Sequence, residues 1–194
     1  MDLCLTSINT RGIRNFQKFG KLCQRLRTHG RGGSDIVFIQ ETYIHDDRSR
    51  DECKKIWGGE IRCAYGDPEV FNSRGVAILI KKHLKHEIIN EFTDRKGRIL
   101  VLDVDIADNK LRLVNIYAPN NPKERIYFFR ELPEYLAEGR TLIVAGDTNL
   151  ISTDSDKNIP IDTSNKGSFF AGNELLQDLC KDFYLSDAYR KRIT

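Results

Sequence analysis

No apolar run in this sequence approaches the length of a membrane span, and Met1-Asp-Leu-Cys-Leu5 lacks the basic start and apolar stretch of a secretory signal. There is no Cys-x-x-Cys pair. The five cysteines, Cys4, Cys23, Cys53, Cys63 and Cys180, are odd in number and scattered. That pattern suits reduced thiols in an intracellular protein better than a disulfide framework or a zinc site. Internal repeats, low-complexity tracts and linkers are also missing, so the expectation is one domain over residues 1–194. The net charge of +3 is too small to argue nucleic-acid binding by itself. Its distribution says more, because Arg11 to Arg31 holds seven Arg or Lys residues and no acid.

The apolar segments that are present alternate with helical ones. Leu3–Ile8, Asp35–Glu41, Gly75–Ile80, Arg98–Ile106, Leu111–Tyr117 and Leu142–Ala145 read as strands, with Lys85–Thr93 as a polar edge strand. Leu142–Ala145 has the continuous β-branched character of a strand buried on both faces. Residues 15 to 28 repeat Phe16, Phe19, Leu22, Cys23 and Leu26 at helical spacing, with Arg14, Lys18, Lys21 and Arg25 along the other face. Such a basic stripe fits a solvated helix face or a phosphate backbone. Thr42–Ser73 reads as loops with a short helix near Asp51–Trp57. A helix from about Lys123 to Glu138 should start at Pro122 and kink at Pro133, and Glu174–Lys181 reads as another. Residues 151 to 167 have no period and read as a surface loop.

Polar residues gather where these strands end. Asn9, Glu41, Tyr117 and the pair Asp147-x-Asn149 each close an apolar run. Alternation along an extended chain would put Asp147 and Asn149 on one side. Taken singly, Gly-Asp-Thr-Asn also fits an ordinary turn, and a Tyr before Ala-Pro fits a half-buried aromatic. Taken together, the strand ends favour metal-assisted phosphodiester chemistry. Oxygen ligands such as Asn9 and Glu41 suit Mg²⁺, or Mn²⁺, rather than zinc.

Five motifs carry a more specific likeness: Ser7-Ile-Asn9 with Gly12, Phe38-Ile-Gln-Glu-Thr42, Arg74-Gly-Val-Ala-Ile-Leu79, Asn115-Ile-Tyr-Ala-Pro-Asn120 and Ala145-Gly-Asp-Thr-Asn149. In this order they resemble the signatures of the endonuclease/exonuclease/phosphatase family, and most of all the apurinic-type endonuclease domain of non-LTR retrotransposons. The resemblance implies an α/β four-layer sandwich of two mixed β-sheets flanked by helices. It implies Asn9 and Glu41 at a metal site, Tyr117 near the scissile phosphate, Asp147 aligning the attacking water and Asn149 stabilising the transition state. The implied partners are double-stranded DNA and a reverse transcriptase in the same polyprotein, acting in the nucleus and without a membrane. Arg11, Arg14, Lys18 and Asn120 are the candidate nucleic-acid contacts.

The family pattern also carries later strands and a closing Ser-Asp-His, which this sequence does not contain. His29, His45, His83 and His86 lie in no matching motif. The expectation is therefore a fold lacking its last strands and a chain with little nuclease activity. A phosphatase, an RNA-directed nuclease of the same family, or a non-catalytic fragment remain the alternatives.

Overall fold

The computed structural model describes residues 2–28, 32–66, 74–136, 139–150 and 171–188. The loop expected over residues 151 to 167, and His29, Arg31 and the basic end from Arg190, lie outside the described residues. The chain divides into two compact units, Met1–Tyr117 with Gly139–Asp147, and Ala118–Glu138 with Thr148–Thr194.

Strands whose alternate residues face two different cores build the first unit. Its strands are β1 (Leu5–Asn9), β2 (Ile36–Gln40), β3 (Glu60–Ala64), β4 (Val76–Ile80), β5 (Glu87–Thr93), β6 (Ile99–Ile106), β7 (Asn109–Tyr117) and β8 (Thr141–Asp147). They form two four-stranded sheets, ordered β1-β2-β4-β3 and β5-β6-β7-β8. Each sheet is mixed. β1 runs parallel to β2 and β7 parallel to β8, while the other pairings are antiparallel.

Along β2 and β4, Ile36, Phe38, Val76, Ile78 and Ile80 face Leu100, Leu102, Val104, Leu111 and Leu113 of the other sheet, forming the core between the sheets. The alternate residues Val37, Ile39, Ala77 and Leu79 face a second core with helices α1 (Phe16–Thr28) and α2 (Asp47–Trp57). α1 contributes Phe19, Cys23 and Leu26 to it, and α2 contributes Cys53 and Trp57. Trp57, 4% exposed, donates its indole N–H to the Ile80 carbonyl at 2.9 Å. Arg27 stacks over its ring and donates to the carbonyls of Ile56 and Trp57, both at 2.6 Å, closing the end of α2. The expected α/β architecture, two mixed sheets with flanking helices, is therefore the observed one.

Four expectations need correction. α2 begins at Asp47 rather than near Asp51, because the Asp46 carboxylate caps it by accepting from Ser49 N at 2.7 Å. β3 lies in a stretch read as loop; its charges, Glu60 and Arg62, pair with each other at 3.0 Å, and only Ile61 and Ala64 are buried. The run 142–145 is half-buried rather than sealed on both faces, because β8 has β7 as its neighbour and forms the edge of its sheet among the described residues. The kinked helix instead stops: α3 (Pro122–Glu131) gives way to a 3₁₀ turn, Leu132–Tyr135, that contains Pro133.

In the second unit, Asn121 caps α3 by accepting from the backbone N–H groups of Lys123 and Glu124, and Pro122 opens the helix as expected. Arg125, 2% exposed, donates to the carbonyls of Pro119, Asn120 and Ala171. It thereby ties α3 to the entry of α4 (Asn173–Asp182). Burial pushes its pKa below the usual guanidinium value.

Candidate active site

The two parallel strand pairs end level with one another in register. Asn9 pairs with Gln40 at the end of the first, and Tyr117 with Asp147 at the end of the second. Each pair needs a local backbone device to present its carboxylate. Glu41 follows β2 with a φ of 55°, a left-handed conformation unusual for a side-chain-bearing residue. Its carbonyl is held by Gly12 N at 2.7 Å and by the Thr10 hydroxyl at 3.2 Å. Asp147 instead follows Gly146, whose φ is 149°. A Cβ on Gly146 would stand 2.0 Å from the Ile116 carbonyl oxygen, so only glycine fits there.

Asn9 joins the two carboxylates. Its Nδ2 donates to Glu41 Oε1 and to Asp147 Oδ2, both at 2.9 Å, and its Oδ1 accepts from Arg11 N at 3.1 Å. A residue that the strand-end pattern does not single out completes this cluster. Arg74 donates from Nη1 to Glu41 Oε1 at 2.7 Å and to the Tyr117 hydroxyl, with its guanidinium 5.5 Å from the Tyr117 ring centroid. Burial works against the charge on Arg74, but Tyr117 and Glu41 outweigh it and hold its pKa above the usual value. The signal for Arg74 is its position at the entry of an apolar strand inside one of the five motifs.

Behind the cluster lies a buried polar link between the sheets. Asn115, fully buried, donates to the carbonyls of Ile39 at 3.0 Å and Ala77 at 2.8 Å. It accepts from Gln40 Nε2 at 2.7 Å, and Gln40 also reaches Ser7 at 3.3 Å. Gln40 precedes Glu41, and Asn115 stands two residues before Tyr117 on the same face of β7. Hydrogen-bonding these supports fixes the relative height of the residues they flank.

Asn149 is placed differently from the alternation argument. β8 ends at Asp147, and Asn149, with a φ of 50°, lies in the second unit. Its amide donates to the Ala118 carbonyl at 2.7 Å. Among the basic candidates, Lys18 is engaged within the fold, since its ammonium donates to the carbonyls of Thr10, Arg11 and Gly12. Arg14 is exposed and lines an open cleft of about 520 Å³ with Phe16, Asp46, Arg48, Ser49 and Glu52, where two acids dilute its attraction for phosphate. Arg11 and Asn120 are exposed.

Among the described residues there is no group of three or more His, Cys, Asp or Glu side chains placed to hold a metal ion. The donors at hand are two carboxylates, Glu41 and Asp147, within reach of one amide. That set fits Mg²⁺, which is commonly held by one or two carboxylates while keeping several waters, and does not fit a zinc site.

Comparison with known proteins bears on the family and the fold. The chain is 28% identical over 195 residues to the uncharacterized 149 kDa protein of transposon TX1 from Xenopus laevis. The match spans 99% of this chain but only 14% of that relative. The fold of this chain is similar to that of an AP endonuclease from Leishmania major, with a TM-score of 0.69 at 18% identity over 92% of this chain and 65% of the other. An AP endonuclease from Archaeoglobus fulgidus gives a TM-score of 0.67 at 18% identity, over 93% and 70%. Residues 6–186 match the model of the endonuclease/exonuclease/phosphatase family, a span that contains the whole Asn9–Glu41–Arg74–Tyr117–Asp147 cluster, and the chain belongs to that family.

Proposed function

We propose that this chain is the metal-dependent endonuclease domain of a retrotransposon, hydrolysing a phosphodiester of double-stranded DNA so that the nick primes reverse transcription. The single observation that carries the chemistry is the Asn9 amide bridging Glu41 and Asp147 from the two sheets. The transposon relative and the AP endonuclease folds support the choice of DNA and of a mobile element.

In this reading Glu41, with Asn9 beside it, holds Mg²⁺, which when bound supplies Lewis-acid polarisation of the phosphoryl oxygen. Asp147 accepts a hydrogen bond from the attacking water and orients it. Tyr117 donates its hydroxyl proton to a phosphoryl oxygen as negative charge builds there. The test is single-turnover relaxation of supercoiled plasmid with the protein in excess and Mg²⁺ present. Glu41→Gln and Asp147→Asn are each expected to lower the nicking rate by at least about 10². Unchanged rates in both variants would overturn the reading.

A further inference from the structure

The metal reading leaves Arg74 unexplained, and its position is peculiar for a site meant to take a cation. Glu41 Oε1 already accepts from two donors, Asn9 at 2.9 Å and Arg74 at 2.7 Å. The Glu41 side chain is 10% exposed and that of Arg74 26%, so the pair is largely withdrawn from water. Arg74 is also held on its other side by the Tyr117 hydroxyl and ring. Its backbone is fixed, since its carbonyl accepts from Tyr43 N at 2.8 Å. The next residue, Gly75, has a φ of 64°, and a Cβ there would stand 2.7 Å from the Thr42 hydroxyl. The guanidinium is thus built into the place where the charge of Glu41 needs a counter-ion.

We propose that Arg74 is the site's resident counter-cation, and that it passes from Glu41 to a phosphate of the DNA, so that metal binding and DNA binding are coupled through it. The inference rests on the reading of Glu41 as a metal ligand. A divalent ion at Glu41 and a guanidinium on the same oxygen repel each other, so each disfavours the other when DNA is absent. A DNA phosphate beside Tyr117 offers the guanidinium a second anion, and the planar fork of arginine suits phosphate as well as carboxylate. Transfer of Arg74 to that phosphate frees Glu41 Oε1 for the metal. By linkage, DNA then raises metal affinity by the same factor as metal raises DNA affinity. Arg74 is a positioning residue here, acting through its charge and its fork, and no bond is made or broken at it.

The experiment measures Mn²⁺ binding by electron paramagnetic resonance, with and without a short phosphorothioate DNA duplex that resists hydrolysis. The wild-type chain, Arg74→Gln, Arg74→Lys and Glu41→Gln are compared, with circular dichroism melts to show that each variant is folded. In the wild type the duplex is expected to tighten Mn²⁺ binding by about 5- to 150-fold, the usual range for coupled sites. Arg74→Gln is expected to bind Mn²⁺ more tightly than wild type without DNA, and to lose most of the enhancement by DNA. Arg74→Lys, which keeps the charge but not the fork, should fall between them. Wild-type Mn²⁺ affinity and coupling in both Arg74 variants, with binding abolished in Glu41→Gln, would overturn the role of Arg74 and leave the metal site standing. Unchanged Mn²⁺ binding in Glu41→Gln would remove the metal site, and the inference with it.

Discussion

The two parallel strand pairs do the same job with unequal means. In β1/β2 the carboxylate-bearing strand is central and fully buried, and Glu41 is held by hydrogen bonds to its own carbonyl from Gly12 and Thr10. In β7/β8 the carboxylate-bearing strand is the half-buried edge, and Asp147 is aimed by one glycine conformation. A positive φ precedes or coincides with the acid in both. Where neighbours are plentiful the strained conformation falls on the acid itself, because several hydrogen bonds over-determine it. Where the strand has one neighbour among the described residues, the strain is avoided by giving the position to glycine. Tolerance to substitution should differ accordingly.

Replacing Gly146 tests that contrast most severely. Gly146→Ala places a methyl against the Ile116 carbonyl in the β7/β8 register, and should cost about 2–4 kcal/mol, read as a large fall in the midpoint of urea unfolding. A midpoint like that of wild type would show that β8 gives way and that the two pairs are equally robust. Asn115→Leu should come next. It removes the link between the pairs and takes from Gln40 the nearer of its two acceptors, leaving Ser7, at a cost of about 1–3 kcal/mol. The smallest effect concerns the stripe beside β1. Neutralising Arg14, Lys21 and Arg25 should flatten the salt dependence of DNA binding by about one unit of slope for each phosphate no longer neutralised, without moving the melt. Lys18→Gln should instead lower the melt and leave the slope alone, because its ammonium is occupied by the carbonyls of residues 10 to 12.

Most of this arrangement is legible in the sequence because apolar strands that carry polar residues at one end announce both a core and a crevice. Asn9, Glu41, Tyr117 and Asp147 stand out that way, and in the structure hydrogen bonds through Asn9 and Arg74 join them. Arg74 does not stand out, because an arginine at a strand entry looks like any solvated flank until its partner from another sheet is known. The half-burial of β8 is hidden for a related reason: a run such as Leu142–Ala145 records what a strand can bury, while its neighbours decide what it does bury. β3 escapes because its two charged residues are held in ion pairs, Glu60 with Lys54 and Arg62, and Arg62 also with Glu91, which a hydropathy pattern counts as exposure. Gly146 is visible in the sequence, but its role needs the approach of the Ile116 carbonyl.

The seat of Trp57 supplies a reporter that needs no label. It is the sole tryptophan of the chain, its indole N–H is bound within the layer joining the first sheet to α1 and α2, and none of the variants above touches it. Excitation selective for indole therefore reads that layer alone. Its emission should lie to the blue of an exposed tryptophan and shift red only when the layer opens. The red shift gives each variant an internal standard: a lost function with an unshifted spectrum belongs to the crevice, and a shifted one to the scaffold.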